Sequence, residues 1–198
     1  MTDNDKGLTE SPTGSFRFYL QGMGVSSFAH GLQIVLFPWL LVGVLNESAE
    51  RVGSAQMALM LPQLLFVLWG GVISDNRHPG QHLFRLYLLY NLPCLMLLGT
   101  LWSGQLSYTV MLFYGFCFGT ITAFVQPARE SLLSRVVDSQ LQQAVARASF
   151  VQFTAQSLGI LLAGYMDHIG LLPLIGVQLI LLVMSGWLLR KSLGYLPE

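Results

Sequence analysis

Apolar residues come in long runs along this chain, and polar residues are confined to short stretches between them. The runs cover 18–45, 53–73, 83–102, 108–125, 144–166 and 169–189. Each is close to or above the roughly 20 residues that a helix needs to cross a bilayer. The pattern predicts an all-α polytopic membrane protein with six transmembrane helices in a domain spanning 16–191, flanked by polar tails at 1–15 and 192–198. Pro38 should kink the first helix, and Gln126-Pro127 should end the fourth. The connector 128–141 keeps Leu132, Leu133, Val136 and Val137, a spacing that predicts an amphipathic helix on the membrane surface.

Composition agrees with this pattern. Hydrophobic residues make up 53% of the chain and charged residues 10%, against about 25% charge in a typical soluble domain. So few charges could not cover the surface of a water-soluble protein of this size. The formal net charge is zero, which favours no nucleic-acid partner. The tail 1–15 is net acidic, so it lacks the positive start of a secretory signal and reads as a cytoplasmic tail. Cys94 and Cys117 both fall inside apolar runs, which argues against a structural disulfide. The charges that remain are unevenly placed. Lys6, Arg17, Arg77, Arg85, Arg129, Arg135, Arg147, Arg190 and Lys191 fall on one side of a six-span topology, and only Arg51 falls on the other. Basic residues stay cytoplasmic, so both termini are expected inside the cell.

Two connectors carry more specific information. Gly70-Gly71-Val72-Ile73-Ser74-Asp75-Asn76-Arg77 lies between the second and third runs. It resembles the Gly-x-Leu-Ala-Asp-Arg-x-Gly-Arg-Arg loop of the major facilitator superfamily. Gly71, Ile73, Ser74 and Asp75 match its first, third, fourth and fifth positions, with Ile for Leu and Ser for Ala. Asn76 replaces the Arg, and His78 and Pro79 replace the later Gly and Arg. After the fourth run, Pro127, Ala128, Arg129, Leu132, Leu133 and Val137 are similar to the Pro-Ala-Arg-x-x-Leu-Leu-x-x-Leu-Val connector of the enterobactin-exporter-like branch. Leu141, Ala144 and Ala148 continue the likeness, and Gly159 and Gly164 stand where that branch has Gly-Pro-x-x-x-Gly, with Ile160 at the Pro position. The resemblance covers about 15–190. It implies one six-helix half of a twelve-helix transporter, itself a 3+3 inverted repeat.

Candidate chemistry is sparse. His30 is the one ionisable residue that the runs place deep in a span, and Ser26, His30 and Gln33 share a helix face, with Ser27 at its border. Exposing such a group to lipid is costly, so it should face a cavity or a partner. A histidine lining water would titrate near its reference value of about 6.5; a neutral one hydrogen-bonded to Gln33 or a neighbouring helix would be structural. Ser149, Gln152, Gln156, Gly159 and Ala163 form a small and polar stripe on the fifth helix, suited to a dimer seam, a cavity wall or packing within the bundle. Gly115 and Gly119 form a Gly-x-x-x-Gly face on the fourth. The resemblance implies that Gly71, Asp75, Arg77, Pro127 and Arg129 belong to a cytoplasmic gate, with Asp75 latching onto a helix end of the other half.

An enzyme is not expected. His30, His78, His82 and His168 form no metal pair with a Glu, and neither a phosphate-binding Gly-rich loop nor a Gly-x-Ser-x-Gly elbow is present. No cofactor or metal is expected. The resemblance implies secondary transport, with efflux of a small, partly apolar molecule across a bacterial inner membrane, by a half that pairs with a second copy or another six-helix half. The alternative is a non-transporting accessory or assembly subunit derived from such a half.

Overall fold

The computed structural model describes residues 11–75, 79–136 and 141–193. Its elements are α1 (Ser11–Trp39), a π-helical turn (Leu40–Val44), α2 (Ala49–Asp75), α3 (Pro79–Trp102), α4 (Tyr108–Val136), α5 (Leu141–Gly164), the short α6 (Met166–Ile169) and α7 (Leu171–Leu193). Among the described residues there is no strand. The segments 14–44, 81–102, 108–134 and 171–192 are long and apolar enough to cross a membrane. α5 carries Gln142, Gln143, Arg147, Gln152 and Gln156, which lower its hydropathy.

Local chemistry sets the breaks. Pro38 has no N–H to give to the preceding turn, and two residues later the helix widens into the π turn, which closes with Leu45 N–H donating to the Leu40 carbonyl at 3.0 Å. Asn46 then reverses the chain at φ 52°, a left-handed conformation that asparagine tolerates. Gly104 (φ 67°) does the same between α3 and α4. Arg51, the one basic residue placed on the far side by the sequence, pairs with Glu47 at 2.9 Å and lies over the Tyr108 ring.

Pro127 does not end α4. The helix runs through it to Val136, and the expected surface helix is instead α4's last turns. Ala128, Leu132 and Leu133 are buried in the core and hold those turns against the bundle. Proline in a membrane helix costs one backbone hydrogen bond, and tertiary packing offsets that cost.

Packing follows a symmetric scheme. α5 lies along α1 and α2 lies along α4; α7 packs on α1, α3 packs on α4, and α3 and α7 pack on each other. Exchanging the triplet α1–α2–α3 with α4–α5–α7 leaves this scheme unchanged. Three helices in alternating directions invert the starting side, so two such triplets have opposite orientation. The two close seams use the same device. Gly31 of α1 lies against the Gln156 carbonyl of α5, and Gly119 of α4 lies against the Leu59 carbonyl of α2. In both, a missing side chain lets backbones touch. Outward-facing apolar residues such as Leu64, Trp69, Phe150 and Ile180 are largely exposed on the bundle's outside, where a bilayer would cover them.

Candidate functional site: a polar cavity between the two triplets

A cavity of about 90 Å³ opens between α1, α3, α4 and α5, with Gln63 of α2 and Leu182 of α7 also in its wall. α1 contributes Ser26, Ser27 and His30; α4 contributes Thr122, Gln126 and Arg129; α5 contributes Gln152 and Gln156. Tyr87 and Tyr90 of α3 close one side, and Phe118, Val125 and Leu182 form apolar walls. Helical spacing explains the set. Ser26 and His30 are four apart, Thr122, Gln126 and Arg129 are four and three apart, and Gln152 and Gln156 are four apart, so each group lies on one face of its helix.

Arg129 dominates the site. Its Nη2 donates to Gln152 Oε1 at 3.2 Å, and its backbone carbonyl accepts from the Tyr19 hydroxyl at 3.3 Å. Among the described residues it is the one formally charged side chain in the cavity wall, and none of them there is Asp or Glu. Two hydroxyls in the wall are equally underused. Ser27 Oγ and the Tyr87 hydroxyl are buried and have no hydrogen-bond partner at standard distance, although Tyr87 faces the Arg129 guanidinium. By contrast Ser26 Oγ donates to the Met23 carbonyl at 2.9 Å, and Tyr90 pairs with Thr122 at 2.8 Å. His30 stacks on Phe118 with centroids 6.4 Å apart and is exposed at the cavity mouth.

Gln33 lies elsewhere. It is buried in the core, where its Oε1 accepts from the Tyr114 hydroxyl at 2.6 Å and from Gln178 Nε2 at 2.9 Å. That network ties α1 to α4 and α7 and does not line the cavity. The α5 stripe divides. Gln152 and Gln156 are cavity wall, while Gly159 is buried against the Phe28 carbonyl and Gly31 of the same chain. Gly159 therefore serves packing within the bundle, and the stripe does not present it to a second copy. Cys94 and Cys117 are free, and Cys94 is buried.

Of the expected gate residues, Gly71 and Asp75 belong to the end of α2, but their side chains, and Arg77 altogether, lie outside the described residues. Pro127 sits in α4, and Arg129 is in the cavity, not in a connector. Taking Pro127 as a helix end stops α4 at Val125 and puts Arg129 in a connector, which the structure corrects. The apolar spacing Val125, Ala128, Leu132 already continued the helix face past the proline. Tyr87, Tyr90 and Gln126 were not singled out; the three-residue spacing of the two tyrosines was the available signal. Among the described residues no cluster of His, Cys, Asp or Glu could hold a metal ion.

The family model described as transmembrane secretion effector matches residues 13–183, most of the chain. The chain belongs to this family of the major facilitator superfamily. Comparisons with characterised proteins and with solved structures return no match. Membership indicates a transporter rather than an enzyme, and a facilitator protein with a polar cavity in an otherwise apolar bundle has the raw material of a translocation path.

Proposed function

We propose that this facilitator-superfamily chain is a secondary transporter unit that exports a small, partly apolar molecule, and that a second six-helix half completes its path. The reading rests on His30. It lies well inside α1, yet it is exposed on the bundle together with the mouth of the polar cavity. Turning that face to lipid would be costly, whereas a second half would convert it into the water-filled wall of a central path. Rocking of the halves would then open the path to each side in turn. The simplest second half is another copy. Purified chain in nanodiscs should have a protein mass twice its 21.9 kDa, and a strictly monomeric protein that still transports would sink the pairing.

His30 supplies a second test. His30→Gln keeps hydrogen-bonding capacity and should leave the membrane yield of the protein unchanged while abolishing dye extrusion from cells. If His30 served packing alone, Gln would preserve extrusion and Leu would lower the yield.

Orientation belongs to the same reading: both termini and the ends of α2 and α4 are cytoplasmic, in a bacterial inner membrane. A single cysteine placed at the exposed Gln81 in a variant lacking Cys94 and Cys117 should resist a membrane-impermeant thiol reagent in intact cells, and one at the exposed Ser48 should react. The opposite labelling pattern would invert the topology.

A further inference from the structure

We propose that the cavity binds a small molecule through a carboxylate group, which docks on Arg129 and receives further hydrogen bonds from Ser27 and Tyr87. The inference deepens the transport reading and rests on it for the fate of the bound molecule.

Charge is the first argument. A cation held in a membrane-embedded cavity is costly unless something compensates it. Among the described residues, Arg129 meets only neutral side chains, Gln152 as a hydrogen-bond acceptor and the Tyr87 hydroxyl facing it, and none that lines the cavity is acidic. The described wall therefore carries one positive charge without an acidic partner, which attracts an anion and repels an organic cation. A single guanidinium compensates one negative charge, and its planar fork matches a planar carboxylate, with two parallel N–H···O bonds.

Unused donors are the second argument, independent of charge. Ser27 is 3% exposed and Tyr87 is 1% exposed, both line the cavity, and among the described residues neither hydroxyl has a hydrogen-bond partner at standard distance, although Tyr87 faces the Arg129 guanidinium. Buried hydroxyls are nearly always satisfied. Two left open beside an uncompensated guanidinium provide additional donors for the same acceptor group. The rest of the molecule meets Phe118, Val125 and Leu182, which requires an apolar body.

Benzoate is a suitable probe, with benzyl alcohol and benzylammonium as neutral and cationic counterparts of the same ring. The full chain in nanodiscs should bind benzoate saturably and much more tightly than either counterpart. Arg129→Gln should weaken benzoate at least about tenfold, the scale of a hydrogen bond to a charged group, and Arg129→Lys should fall between, keeping charge but losing the fork. Ser27→Ala should cost several-fold less than Arg129→Gln. Arg147→Gln, at an exposed arginine of α5 outside the cavity, should change nothing. If Arg129→Gln does not fold, Arg129→Lys and Ser27→Ala decide the question.

Equal binding of benzylammonium, or benzoate affinity unchanged by the Arg129 and Ser27 substitutions, would overturn the proposal. The transport reading fails separately. Benzoate bound at Arg129 without benzoate counterflow in proteoliposomes would overturn transport and leave the carboxylate site standing. Counterflow of another compound with no benzoate binding would do the reverse.

Discussion

Gly119→Leu should abolish the folded bundle. A side chain on Gly119 would run into the Leu59 carbonyl of α2. The obstacle is helix backbone, which cannot swing aside as a flexible side chain can, so α2 and α4 must separate along the most extensive seam between helices. Overpacking a well-packed core costs about 1–3 kcal/mol and sometimes more, and a bulky residue against backbone falls at or beyond the upper end. Even Gly119→Ala should lower the melting temperature. The seam partner should behave alike, because a side chain on Gly31 would meet the Gln156 carbonyl. Gly99 and Gly176 are the controls. Both lie in long helices with open space where a side chain would go, so alanine there should be neutral or stabilising by up to about 1 kcal/mol through helix propensity. Thermal melting of the detergent-solubilised variants, read by loss of the monodisperse gel-filtration peak, separates the two groups. Equal melting of Gly119→Leu and Gly176→Ala would refute the close-seam account.

Gln33→Leu is the second large expected effect, and it separates a structural role from a transport role. Gln33 is 3% exposed and its Oε1 accepts two hydrogen bonds from two other helices. Leucine fits the volume but leaves the Tyr114 hydroxyl and the Gln178 amide without that acceptor in the core. Interhelical hydrogen bonds in membrane proteins average only about 0.6 kcal/mol, but stranding a buried donor costs about 1–3 kcal/mol, so the stranded groups set the scale. Tyr114→Phe removes one donor and leaves Gln33 its bond to Gln178, so it should cost less. In a double-mutant cycle the pair Gln33→Leu with Tyr114→Phe should be less damaging than the sum of its parts, since Phe no longer needs an acceptor. Strict additivity would show that the 2.6 Å bond contributes nothing.

The same residue shows what sequence could and could not convey. The runs disclosed the long helices because a membrane-crossing helix must be apolar along its whole length. The helix faces were legible as well: Ser26 and His30 do share the cavity, and Gln152 and Gln156 do share a wall. Depth was not legible. Gln33 lies on the face of Ser26 by periodicity, but it is buried in a network with Tyr114 and Gln178, residues 81 and 145 positions away. The place of Arg129 in the cavity was not legible for a different reason. Proline is read as a helix stop because in water the freed backbone can hydrate, an outlet a membrane helix lacks. Packing of Leu132 and Leu133 carried α4 through Pro127 and moved a supposed connector charge into the cavity.

The crossed seams also constrain how the chain is made. Each triplet finds its close partner in the other triplet, so α1 leaves the ribosome long before the helix it packs against. The 125 residues between Gly31 and Gln156 take about 6–25 s to synthesise at ~5–20 residues per second. Through that interval α1 carries Ser27, His30 and Gln33 into the membrane with their neighbours from α4, α5 and α7 still unmade. The newborn protein therefore passes through a stage in which these polar side chains of α1 stand without the neighbours that later shelter them. Slowing translation after α3 should lengthen that stage and increase degradation, whereas the same pause after α7 should not.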